Sequence, residues 1–150
     1  MSENIFKVFG EQTKETLLEI IAKCMDDYLY VYDLQNNTME LSESAVDRFM
    51  ISGNVINDVT NILLQVVYEE DRKMLQEHLT AICEGKEKVH NLHHRWLDKE
   101  GRPVWINCRG IVIDDSQGKP QYLVGCLNET GHQRRADNVP GLLGGLEFNA

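Results

Sequence analysis

The chain has 150 residues, 42% of them hydrophobic and 26% charged. Those proportions fit one ordinary globular domain and exclude a disordered chain. Fifteen basic against 24 acidic residues leave a net charge of −9, which repels phosphate backbones and argues against nucleic-acid binding.

Residues 1–12 carry no sustained pattern. Thr13 is placed to cap a helix through about Met25, because Leu17, Leu18, Ile21, Cys24 and Met25 repeat on one face. Tyr28-Leu-Tyr-Val-Tyr-Asp33 is short, aromatic and β-branched, and reads as a strand. Gln35-Asn36-Asn37 supplies a turn, and Thr38 to Leu41 reads as the return strand. Ser42 to Met50 is expected to form a short helix, Gly53 to Asn57 a loop, and Val59 to Val67 a buried helix. Asp71 to Glu84 carries Met74, Leu75, His78, Leu79 and Ile82 on one helical face, with Gly85 as the stop.

The period then changes from 3.6 to 2. Val89 to Leu97, Val104 to Ile113 and Pro120 to Leu127 read as strands joined by tight turns ending in Gly101 and Gly118. Two short turns in succession make an antiparallel three-stranded meander. The expected class is α+β, one antiparallel sheet with helices on one face. Within the middle strand of the meander, Val104, Ile106, Cys108, Gly110 and Val112 are expected to face inward. Trp105 is then expected on the outer face, covered by the N-terminal helix or by a partner subunit.

No apolar run approaches the ~20 residues that span a membrane, and the first residues lack the layout of a signal peptide. The four cysteines, Cys24, Cys83, Cys108 and Cys126, lie far apart and read as buried thiols of a cytoplasmic protein.

Several signals together resemble the PAS sensor fold. They are Tyr68-Glu-Glu-Asp-Arg72 at the start of the long helix, Arg95-Trp96, the Asp98-Lys-Glu-Gly101 turn, Trp105, Gly118 with Gly125, and the opening strand Asp27 to Asp33. The resemblance covers roughly residues 26–131. It implies a five-stranded antiparallel sheet in spatial order 2-1-5-4-3 cupping a small pocket, with the amphipathic helix within 1–25 standing outside it. The last strand of that family runs into an Asp-Ile-Thr motif that couples the domain to its output. Glu129, Thr130 and Gly131 occupy the corresponding positions and are the expected signal relay.

The tail, 132–150, carries a second resemblance. Asp137-Asn-Val-Pro-Gly141-Leu142 with Phe148 is similar to the start of a GGDEF diguanylate cyclase domain. This implies a sensor segment of a larger cyclic dimeric GMP signalling protein, with the cyclase as the C-terminal partner. Gly144-Gly-Leu-Glu-Phe148 differs from the cyclase signature by one letter, but the strands and carboxylates that would hold GTP and metal do not precede it. The chain itself is therefore expected to have no catalytic residues.

PAS geometry points His94 and Trp96 inward and Arg95 outward. The expected ligand pocket is lined by His78, His94, Trp96, Ile106 and Cys108, mostly apolar with a few donors, which suits a small organic molecule. His78 is a conceivable haem ligand, although a lone histidine on an apolar face is more often a core residue. Asn107-Cys108-Arg109 echoes a flavin-sensor motif, but mid-strand it reads as a buried thiol. On a strand, His90 and His94 share one face and His93 takes the other, which does not make a tetrahedral metal site. The expected function is a sensory domain that binds a small molecule. The alternative is a ligand-free homodimerisation module using the N-terminal helix and the outer sheet face.

Overall fold

The computed structural model describes residues 20–21 and 24–130. The expected N-terminal helix thus lies largely outside the described residues, and 131–150 lie wholly outside them. Ile20, Ile21 and Cys24 are helical, and all three are exposed.

The chain lays down β1 (Tyr28–Asp33), β2 (Thr38–Leu41), α1 (Glu43–Arg48), β3 (Val55–Asn57) and α2 (Val59–Val66). A 3-10 turn at Glu69–Asp71 leads into α3 (Arg72–Cys83), and β4 (Val89–Leu97), β5 (Pro103–Asp114) and β6 (Pro120–Glu129) follow. All the strands join one antiparallel sheet in the order β3-β2-β1-β6-β5-β4. The expected order is present, but the sheet has six strands rather than five. The extra one is β3, within the segment expected to be a loop. It pairs with β2 at the edge, Met39 opposite Ile56, and only Ile56 of its three residues is buried. Three residues are too few to display a period of 2.

The meander forms as its turns dictate. Gly101 and Gly118 hold φ near +81° and +82°, the left-handed conformation for which a Cβ is costly. The carboxylate of Asp98 accepts the N–H groups of Glu100 and Arg102, and that of Asp115 accepts those of Gln117 and Lys119. Both loops are therefore closed by their own first residue.

One core joins the inner face of the sheet to the helices. It contains Tyr30, Tyr32, Leu41, Trp96, Ile106, Val112, Leu123 and Leu127 from the strands. Against them pack Ala45 from α1, Val59, Leu63 and Val66 from α2, and Leu75 and Ile82 from α3. Met74 departs from the expected face and is exposed. Two isolated bridges, Phe49 to Asp98 and Val67 to Trp96, tie the ends of α1 and α2 to the sheet at β4.

One other expectation is corrected. Of the four thiols only Cys108 is buried; Cys24 and Cys83 are exposed and Cys126 is half-buried. Trp105 lies on the outer face, as expected, and is half-buried. The Arg95 guanidinium stacks 4.6 Å from its ring and 4.3 Å from that of Tyr68, replacing water over an aromatic face with a cation.

Candidate functional site, a histidine-lined interior

Alternation on β4 sends His90, His94 and Trp96 inward while His93 is exposed. On β5 the inward set is Ile106, Cys108, Gly110 and Val112. Cross-strand pairing then sets rows across the inner face. His90 lies opposite Gly110, Gly110 opposite Gly125, and Gly125 opposite Tyr30. The two glycines are required there. A Cβ on Gly125 would collide with the Arg109 carbonyl and the Gly110 Cα, and one on Gly110 would meet the Tyr30 hydroxyl. The Tyr30 hydroxyl donates to the Arg109 carbonyl at 3.2 Å and accepts from the Cys108 thiol at 3.5 Å.

These residues enclose a small cavity with Tyr32, Met39, Leu63, Leu75, Leu79, Leu123 and Leu127. Its volume is about 20 Å³, space for one or two water molecules. Neither a haem nor a flavin fits a space of that size. Of the residues expected to line the pocket, His94, Trp96 and Cys108 do so. Ile106 is fully buried and pairs with His94, but it packs behind the lining. His78 also stands outside the lining, with its ring 4.8 Å from that of His90. His90 lines the cavity and was not among the expected residues. Its signal was present, since it shares a strand face with His94. Among the described residues, no three His, Cys, Asp or Glu side chains are grouped to hold a metal ion.

The electrostatics follow from burial. Desolvation, helped by the neighbouring imidazoles His78 and His94, pulls His90 down to about 3. Burial pulls His94 down to about 4, although the Asp71 carboxylate and the Leu92 carbonyl oppose it. Both rings are therefore neutral at pH 7. The Trp96 indole N–H donates to His94 Nε2 at 3.0 Å. An indole nitrogen only donates, so the ring proton of His94 resides on Nδ1. His94 Nδ1, His90 Nδ1 and His78 Nε2 are buried without a hydrogen-bond partner. Burial also raises Cys108 to about 12, so its thiol is no nucleophile at neutral pH.

Asp71 is buried at the start of α3. Burial alone would raise its pKa, but Arg95 holds it below the usual carboxylate range. It accepts the Arg95 backbone N–H at 2.8 Å and both ends of the guanidinium at 2.9 and 2.7 Å. This clamp fixes α3 against the strand that carries the histidines.

The exit end of the sheet is also tied down. Glu129, the last residue of β6, receives Arg48 Nε at 2.7 Å, Arg48 Nη2 at 3.0 Å and the Tyr28 hydroxyl at 2.9 Å. Arg48 holds the Glu129 carboxyl low. Burial and Glu129 together raise the Tyr28 phenol to about 12. Thr130 is buried, and its N–H donates to the Trp105 carbonyl. Gly131 lies outside the described residues.

A family model described as PAS fold matches residues 53–127. No curated protein sequence matches the chain. Among solved structures, a sensory box histidine kinase/response regulator from Burkholderia thailandensis is similar at 17% identity and a TM-score of 0.63, over 83% of this chain and 92% of that one. The N-terminal domain of a diguanylate cyclase with PAS/PAC sensor from Marinobacter aquaeolei is similar at 15% identity and 0.62, over 72% and 98%. A domain of a putative light and redox sensing histidine kinase from Haloarcula marismortui is similar at 13% identity and 0.58, over 76% and 97%.

Proposed function

The chain belongs to the PAS fold family, and on that premise we propose that it is the sensory domain of a bacterial signalling protein. It takes up a small hydrogen-bonding molecule in its interior and passes the change to an output domain that follows it. One observation carries the reading. Three ring nitrogens, on His78, His90 and His94, are buried together without partners in and beside a cavity. Each such group costs about 1–3 kcal/mol to bury unsatisfied, so a guest that bonds to them binds with that cost returned. The space admits only a few heavy atoms as it stands, and a larger guest must displace side chains. Binding alters signalling to the extent that the guest prefers one arrangement of the domain over another.

The output we assign is a diguanylate cyclase. The GGDEF-like tail supports it, as does the likeness to a diguanylate cyclase sensor domain in fold. The parent protein is then an enzyme and this domain its regulator, on the cytoplasmic side. Among the described residues no helix is long and apolar enough to cross a membrane.

A second reading, the ligand-free dimerisation module, has its own support. Val55, Val31, Val124, Ile111 and Val89 are all exposed. They fall in one row across the outer face, interrupted only by Glu40. A second copy, with the N-terminal helix, would cover this row.

A thermal-shift screen of small metabolites against the wild-type chain and His90→Leu separates the two. A ligand held at 100 times its Kd stabilises the protein by about 2.7 kcal/mol. The sensory reading expects compounds that raise the wild-type melting temperature and leave His90→Leu unmoved. A screen in which nothing discriminates between the two proteins hands the function to dimerisation.

A further inference from the structure

We propose that Trp96, Phe49 and Tyr28 form a side-chain relay that carries a change at His94 to Glu129 at the end of β6. The inference builds on the sensory reading by giving the interior site a route to the strand that leads out of the domain. Each link is a contact already in place. The Trp96 indole is bonded to His94 at 3.0 Å. Its ring meets Phe49 edge to face, with centroids 5.2 Å apart and planes at 77°. Phe49 meets Tyr28 in the same way at 5.3 Å and 74°. The Tyr28 hydroxyl then donates to Glu129 at 2.9 Å.

Packing makes these contacts a unit. Phe49 is fully buried and Trp96 nearly so. A close-packed interior has no spare volume, so a swing of the indole must be taken up by Phe49. Edge-to-face pairs hold their rings at a preferred angle, which passes rotation on rather than absorbing it. A second link runs from Phe49 to Glu129. Its chain neighbour Arg48, whose guanidinium lies 5.9 Å from the Phe49 ring, makes the ion pair to the same carboxylate. A displaced Phe49 therefore disturbs both the phenol and the guanidinium that hold the end of β6. The phenol–carboxylate bond is either made or broken, and coupling requires an element with two such discrete arrangements.

A competing route exists. His94 lies opposite Ile106, and Ile106 opposite Glu129, so the sheet itself joins the two ends over about 10 Å. The test must tell ring transmission from sheet transmission. The perturbation is His94→Gln, read in amide and guanidinium NMR spectra of the 150-residue chain at Arg48 Nε–H and Thr130 N–H. In the wild-type background both signals are expected to shift. In a Phe49→Leu background the same perturbation is expected to shift them about fivefold less or lower, while still moving the Trp96 indole signal. Equal shifts in the two backgrounds assign the route to the sheet and overturn the relay, as does an absence of shifts in wild type. If Phe49→Leu does not fold, Tyr28→Phe replaces it. That change keeps the ring and deletes the hydroxyl, leaving only the Arg48 link, so the Thr130 response should fall about twofold or more while the Trp96 response persists. A Thr130 response undiminished by Tyr28→Phe overturns the proposal. No ligand enters these measurements, so the relay stands or falls separately from the sensory reading. A guest that binds yet moves only interior signals defeats the relay alone.

Discussion

Acid should destabilise this domain well above the pH at which its carboxylates titrate, and the interior histidines set the size of the effect. His90 and His94 have folded pKa values of about 3 and about 4, against an ordinary 6.5 reached on unfolding. A base whose pKa is lowered by folding destabilises the fold wherever the unfolded chain binds the extra proton. Full stability is thus present above pH about 6.5, and the loss grows until the folded pKa is reached. At pH 5 the linkage relation gives about 2 kcal/mol for each ring and about 4 kcal/mol for both if they add. The whole fold is worth about 5–15 kcal/mol, so the change is large. For a domain of this size it corresponds to a drop of about 10–15 °C in Tm. The assay is thermal unfolding followed by circular dichroism between pH 7.5 and 5.0 at constant ionic strength. Asp71, Asp98 and Glu129 have their pKa values lowered by folding, and they act below this window. His90→Leu should remove about half of the drop. A Tm that falls by less than about 3 °C over this range, in wild type, would refute the reasoning.

Three further outcomes follow from single contacts. Gly125→Ala should abolish cooperative folding, with a loss above about 4 kcal/mol, because its Cβ would strike backbone atoms of β5 that cannot step aside; a cooperative near-UV melt close to that of wild type contradicts this. Asp71→Ala leaves a guanidinium without its bidentate partner and should cost about 2–3 kcal/mol in urea unfolding; a loss under about 0.5 kcal/mol would mean that the clamp is ornamental. At pH 8 a water-soluble thiol reagent should label Cys24 and Cys83 in the folded protein and reach Cys108 only in denaturant, as peptide mapping would report; rapid labelling of Cys108 in native buffer is incompatible with its burial.

Much of the fold could be read from periodicity. The meander strands alternate cleanly and their turns end in glycine, so the strands and the face of the middle one were legible there. Edge strand β3 was not, because its three residues cannot show a period and its pairing with β2 is a tertiary fact. The candidate site divides along the same line. Cys108 was found through its strand face, and His94 and Trp96 through the PAS resemblance. His90 was placed on the same strand face as His94, but that face was used only to set aside a metal cluster and not to extend the pocket lining. The contact of Tyr28, Phe49 and Trp96 left no trace in the sequence, since it joins side chains from three separate elements. The stacking of Arg95 on Trp105, its cross-strand partner, was missed, although pairing of neighbouring strands could have supplied it.

The most direct test of the account is a native mass spectrum of the purified chain set beside its denatured mass of 17.2 kDa. The account predicts a folded species heavier than the bare chain by the mass of one small guest per protomer, with the excess lost in His90→Leu. A dimer at the bare mass, unchanged by that substitution, contradicts it and leaves the outer apolar row as the functional surface.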